Sequence, residues 1–392
     1  MPPKTRKKTK DTQSLPLELP PIPVFRPSIT QEEIDAVAEV MRSGWLGLGP
    51  VTEKFENALA EYFGVEQVIA LNSGTAALHL AVQLLGLQPE DEVIVPTITF
   101  ISTAHVVGYC GAKVVFADVD EDTLCIHIDD VRRKISPHTK AIIPVHYGGH
   151  PCDMDGLRDA IGDRPITIIE DAAHACGASY RGRLIGGLSP LTCLSFHAVK
   201  NLTCGEGGAI STNHIPWARK LRELRWMGIS KDTYARSARE RVYAWQYWVN
   251  DLGFKYHMHD ISAAIGLVQL KRLNENNQKR RAIVNRYNHA FSTSTWIETP
   301  PEHRDVQSSW HIYHIKVPER DRLIAHLKQC GIAPGVHYYP LHMHPYYANR
   351  NAQCPIAEEI WKRILSLPMY PDMTEDELDR VINAVISFGE TI

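Results

Sequence analysis

Lys200 closes the short run Ser195-Phe196-His197-Ala198-Val199 and precedes Asn201 and the glycine-rich turn Gly205-Glu206-Gly207-Gly208. A lysine amine can form a Schiff base with a carbonyl carbon. Asp171 ends the strand-like run Ile166-Thr167-Ile168-Ile169-Glu170. A carboxylate at such a place can pair with a pyridinium nitrogen, and the lysine and carboxylate together are what pyridoxal phosphate chemistry requires. Asn72-Ser73-Gly74-Thr75 lies between a strand-like segment and a helix beginning near Ala76. Free amides at a helix start, joined by Ser and Thr hydroxyls, make a phosphate cradle. Each feature also has an ordinary meaning taken singly. Ser73 is then a helix cap, Asp171 a cap on the next helix, and Lys200 a surface lysine.

In this order, on strand ends of one sheet, the three form a candidate cofactor site. Asp171 is expected to keep the ring nitrogen protonated, so that the ring acts as an electron sink. Lys200 is expected to hold the cofactor and, once displaced by a substrate amine, to move the proton at the substrate carbon. Ser195 is a candidate for the phosphate cradle. Phe100 either stacks on the ring or belongs to the core, and His174 is a candidate for contact with the ring or its phenolic oxygen.

The elements that must position these residues read as an α/β fold. Order is expected from Val24 onward. Ser28 opens a helical pattern with Ile34, Val37, Ala38 and Met41 at helix spacing. The glycine-rich stretch Gly44 to Pro50 is a loop for backbone approach to a ligand, or a surface turn, and leads into a helix from Val51 to about Tyr62. Short apolar runs at 67–71, 92–96, 113–117, 141–145 and 167–170 alternate with helices, the pattern of a mainly parallel sheet covered on both faces. Ligands of such sheets bind at the carboxyl ends of the strands. A long helix from Ile261 to about Ala290 leads to a smaller α+β unit. That unit has a half-exposed strand at 310–317 and helices at 321–330 and 375–388. The expected division is a basic, proline-rich tail at 1–23, a large domain at 24–265 and a small C-terminal domain at 266–392.

Composition narrows the function classes. The 392 residues are 44% hydrophobic, enough for a large core. A formal charge of −3 and a pI near 6.7 give no reason to expect nucleic acid or an anionic membrane as partner. The basic start, Lys4 to Lys10, reads as a solvated tail. No apolar run reaches the ~20 residues of a membrane span, and none forms a signal-peptide core after Met1. The eight cysteines lack framework spacing and read as reduced thiols of a cytosolic protein. His342 and His344 alternate as on a strand, yet lack a partner with metal-ligand spacing, so no metal is expected. His311 and His314 read as ordinary strand residues. Arg222, Arg225 and Lys231 read as a solvated helical face.

A family resemblance emerges from these segments taken together. The stretches 72–78, Pro96-Thr97-Ile98-Thr99-Phe100, Glu170-Asp171-Ala172-Ala173-His174 and 195–201 resemble the DegT/DnrJ-type sugar aminotransferases. So do Gly44-Trp45 with Gly49-Pro50, the Gly205–Gly208 turn and Leu367-Pro368-Met369-Tyr370-Pro371, from about residue 25 to the C-terminus. The resemblance implies a fold-type I, aspartate-aminotransferase-like subunit with pyridoxal 5′-phosphate, working as a cytoplasmic homodimer with shared active sites. It implies amino transfer, typically from glutamate, to a keto carbon of a nucleotide-linked keto-deoxysugar. Relatives with histidine in place of this lysine are dehydratases, which Lys200 disfavours. The His197 signature with Thr203-Cys204-Gly205-Glu206 is closer to the branch aminating carbon 4 than carbon 3. Trp45, Leu48, His337 and Tyr338 are implied as substrate neighbours. Lys255 stands where many relatives have an asparagine that reaches the cofactor phosphate across the dimer, and it is implied in that role. A dehydratase, an amino-acid lyase or a non-catalytic cofactor-binding regulator are the other readings.

Overall fold

The structure, a computed structural model, describes residues 20–230, 247–348 and 352–390. Lys231 and most of the expected tail lie outside the described residues. Order starts earlier than Val24. Ile22 is fully buried, and its backbone bonds to Gly331 and Ala333 tie the incoming chain to the C-terminal unit.

The main sheet is built from β1 (Gln67–Leu71), β2 (Glu92–Pro96), β3 (Lys113–Ala117), β4 (Thr139–Ile142), β5 (Thr167–Asp171), β8 (Leu191–Ser195) and β9 (Gly208–Thr212). Between β5 and β8 lie the short β6 (Ser179–Tyr180) and β7 (Arg183–Leu184), which with β10 (Val306–Gln307) form a satellite sheet. The main order is β1-β9-β8-β5-β4-β2-β3. Only β9 is reversed in this sheet, pairing antiparallel with both β1 and β8. The carboxyl ends of β1, β2, β5 and β8 therefore share one edge, and there β9 contributes its first residue, Gly208. The strands carry continuous apolar runs because both faces are covered, and Val93, Ile94 and Val95 have no exposure.

Helix α1 (Gln31–Ser43) starts from a capping box of Thr30 with Glu33, rather than from Ser28. Its buried face carries Glu33 and Val40, while Ile34 and Met41 are exposed. The apolar periodicity thus marks a face that this chain leaves uncovered. Helix α2 (Pro50–Phe63) begins one residue earlier than expected, with Pro50 in its first turn. The long helix Asp260–Phe291 serves as a spine. Ala263 and Leu273 belong to the core around the main sheet, whereas Ile283, Val284, Tyr287 and Phe291 belong to a second core. That second core includes β11 (Tyr313–Lys316), paired antiparallel with β12 (Ile364–Leu367).

Two surface expectations do not hold. β11 is buried along its whole length, not half-exposed. Its alternating polar residues are sequestered: His314 sits edge-on to Tyr147 at 5.4 Å, and Lys316 Nζ lies 3.2 Å from Glu298. Arg225 is also buried, ion-paired with Glu56 and donating to Ala70 O at 2.9 Å. It joins the helix before it to β1, and Arg222 reaches Val68 O beside it.

Candidate active site

A cavity of about 450 Å³ opens at the shared strand edge. Its wall includes Ser73, Gly74, Thr75, Phe100, Asp171, His174, Ser195, Lys200, His337 and Tyr338, along with Phe25, Thr99, Ser102, Thr103, His197, Glu206 and His311. The fold brings residues from four strand ends into one space, as the strand directions require.

Helix α3 (Gly74–Gln83) begins at this edge. Ser73 does cap it, accepting from Ala76 N at 3.0 Å, so the ordinary meaning of this serine is realised. The amides of Gly74 and Thr75 precede the first intrahelical bond and stay available to an anion. Close approach makes the cradle. A Cβ on Gly208 would lie 2.4 Å from the Ser73 carbonyl carbon and oxygen, and one on Gly74 would lie 2.8 Å from Ser195 Cβ. Thr75 and Ser102 hydroxyls are 2.7 Å apart.

Asp171 is buried at the end of β5. Burial pushes its carboxyl pKa up, opposed by hydrogen bonds from Thr103 Oγ1 at 2.8 Å and Ala173 N at 3.2 Å and by the charge of Lys200. Lys200 is pulled down to about 8 by desolvation, with Asp171 acting in the other direction. Phe100 is 56% exposed, so it is a cavity residue and not part of the core. His174 is buried, held well below its ordinary pKa by desolvation and by Lys200, and its Nδ1 has no hydrogen-bond partner among the described residues. Its Nε2 faces Tyr338 Oη at 3.3 Å. His337 is pushed down to about 4 by burial and bonds Ser366 Oγ through Nδ1 at 2.8 Å.

Trp45, Leu48 and Lys255 lie outside this cavity. Trp45 Nε1 donates to Leu48 O at 3.0 Å, and Asp260 pins the loop by accepting from Val51 N and Thr52 N. Lys255 Nζ lies 3.5 Å over the Trp226 ring. His311, read as an ordinary strand residue, is instead buried on the cavity wall, stacked on Phe25 at 5.1 Å and bonded to Asn201. Periodicity gave no signal for it, since it lies just ahead of β11 and continues the alternation of that strand. Nor is 341–343 a strand: it is a 3₁₀ turn, with His342 bonded to Thr97 at 2.6 Å and Glu358 at 3.1 Å.

This donor set fits pyridoxal phosphate: an anion cradle that an extra Cβ would fill, a buried carboxylate, an orphaned buried imidazole nitrogen and a desolvated amine. Gly208→Ala should push β9 off the cradle, an overpacking that costs about 1–3 kcal/mol. The expected result is a lower melting temperature and weaker retention of pyridoxal phosphate in equilibrium dialysis. Retention equal to the parent protein would contradict the cradle.

Comparison with known proteins agrees with this geometry. Residues 27–386 match the DegT/DnrJ/EryC1/StrS aminotransferase family. The spore coat polysaccharide biosynthesis protein SpsC of Bacillus subtilis is 41% identical over 375 residues, covering 93% of this chain and 96% of that protein. The PLP-form of the putative sugar aminotransferase Spr1654 from Streptococcus pneumoniae superimposes with a TM-score of 0.88 at 32% identity, covering 95% of this chain and 99% of that one. DesV of S. venezuelae, in complex with a ketimine intermediate, superimposes with a TM-score of 0.87 at 34% identity, covering 95% and 100%. Among the described residues no helix is long and apolar enough to cross a membrane. Agreement over nearly the whole chain, in sequence and in fold, places this protein in the DegT/DnrJ/EryC1/StrS family as a pyridoxal-phosphate-dependent sugar aminotransferase.

Proposed function

We propose that this enzyme moves an amino group from an amino acid, glutamate by preference, to the 4-keto carbon of a nucleotide-linked keto-deoxysugar, working as a cytoplasmic homodimer. The observation that carries the reading is a cavity lined by both Lys200 and Asp171. Bound pyridoxal phosphate supplies a carbonyl carbon and a ring that accepts electrons.

The chain's own residues do the rest. A Lys200 amine held near about 8 is unprotonated in a useful fraction close to neutral pH. It can therefore take a proton from the substrate carbon and return one. With the cofactor bound, ionised Asp171 would hold the proton on the ring nitrogen, and the amides of Gly74 and Thr75 with Ser195 would bind the phosphate. Phe100 would pack against the ring. The neutral His174 would offer its Nδ1 to the ring or its phenolic oxygen. His337 and Tyr338, beside Phe100 and His174 on the cavity wall, would meet the sugar.

A second copy completes the site in this reading. Ile29, Ile34, Met41 and Leu46 are exposed on and beside α1, an apolar face suited to a partner subunit. The same partner would bring Trp45, Leu48 and Lys255 to the cavity mouth. Lys255→Ala should weaken cofactor retention, and unchanged retention would count against its role. His197 and Glu206 line the cavity 3.7 Å apart and support amination at carbon 4.

Half-transamination tests the reaction. Adding L-glutamate to the yellow holoenzyme should bleach its visible band. UDP-, GDP- or dTDP-linked 4-keto-6-deoxyhexoses should then restore it. A holoenzyme indifferent to every amino donor would defeat the transaminase reading, and restoration by 3-keto sugars alone would move the reaction to carbon 3.

A further inference from the structure

One short turn braces both ends of the cofactor site. It runs from Thr99, after β2, into the first residues of α4 (Ser102–Tyr109), as far as Thr103. Phe100 projects from it, Ser102 bonds Thr75 in the cradle at 2.7 Å, and Thr103 bonds Asp171 Oδ2 at 2.8 Å. Thr99 Oγ1 stands 2.9 Å from Thr103 Oγ1, and both threonines are buried.

A hydroxyl carries one hydrogen, which fixes the direction of this chain. Thr103 spends its hydrogen on Asp171, so its oxygen receives the hydrogen of Thr99. A proton on Asp171 Oδ2 would turn the Thr103 bond around and leave the hydrogen of either Thr103 or Thr99 without an acceptor among the described residues. The relay thus favours the ionised carboxylate in a place where burial opposes it.

We propose that Thr103, oriented by Thr99, is a positioning residue that keeps Asp171 ionised and aimed into the cavity. The proposal rests on the reading that Asp171 pairs with the ring nitrogen. The titratable groups facing Asp171 are Lys200, His146, Cys193 and Tyr338. A weaker hold on the ring proton removes positive charge from the ring. The Lys200 nitrogen of the loaded protein then keeps its own proton to higher pH.

The test uses the full chain with pyridoxal 5′-phosphate as probe, reading its dissociation constant and the pH midpoint of the visible band. Losing a hydrogen bond to a charged group should weaken cofactor binding about tenfold in Thr103→Val. The midpoint should rise, and Thr103→Ser, which keeps the hydroxyl, should behave as the parent. Asp171→Asn is the control. If it leaves both readouts unchanged, the pairing itself falls and the proposal with it. If Asp171→Asn changes them while Thr103→Val stays within about twofold of the parent, the relay alone is overturned. Should Thr103→Val lose its cooperative thermal transition, Thr99→Val decides. It leaves Asp171's own contacts in place, so a midpoint moved upward supports the relay and an unmoved one overturns it.

Discussion

A carboxylate withdrawn from water at the end of a buried parallel strand needs compensation, and the site is organised around that need. Asp171 sits where β5 leaves the sheet, with its neighbour Glu170 on the opposite face bonded to His146 at 2.9 Å and Thr192 at 3.0 Å. Burial alone pushes the Asp171 carboxyl pKa up. Its donors come from two other places: Thr103 from the turn after β2, and Ala173 from its own loop. The relative positions of β2, β5 and β8 are therefore fixed by a polar requirement as well as by the apolar faces that cover the sheet.

The same low-dielectric space sets the character of everything facing it. Lys200 loses proton affinity, and His174, His311 and His337 are held neutral by burial with Lys200 nearby. Three imidazoles are thus acceptors or donors of hydrogen bonds rather than cations. Asn201 shows how far this is enforced. Its amide nitrogen donates to Ser309 O and Asn277 Oδ1, so its oxygen must accept from His311 Nδ1. The residue after Lys200 thereby sets the tautomer of a cavity histidine and anchors the lysine segment to the long helix.

Much of this was legible in the sequence because the signals are local. A strand running into Asn72-Ser73-Gly74-Thr75 announces a helix start, and an apolar run ending at Asp171 or Ser195 announces a strand end. Sheet topology then carries such ends to one edge. What stayed hidden depends on partners distant in sequence. Thr99 and Thr103 resemble any buried threonines until Asp171 is placed beside them. His314 and Lys316 alternate with apolar residues, yet β11 is covered on both sides, so alternation misreports its exposure. Arg225 looks like a surface residue until Glu56 and Ala70 O appear opposite it. Trp45, Leu48 and Lys255 lie away from the cavity of one chain, and the family resemblance alone pointed to them.

Lys200 is the amine proposed to join the cofactor. Borohydride reduction of the holoenzyme, followed by proteolysis and mass spectrometry of the pyridoxyl-labelled peptide, tests this directly. The label is predicted on Lys200, within the peptide that begins after Arg183 or a later cleavage site. A label on another lysine, or a cofactor retained without any reducible link, would contradict it.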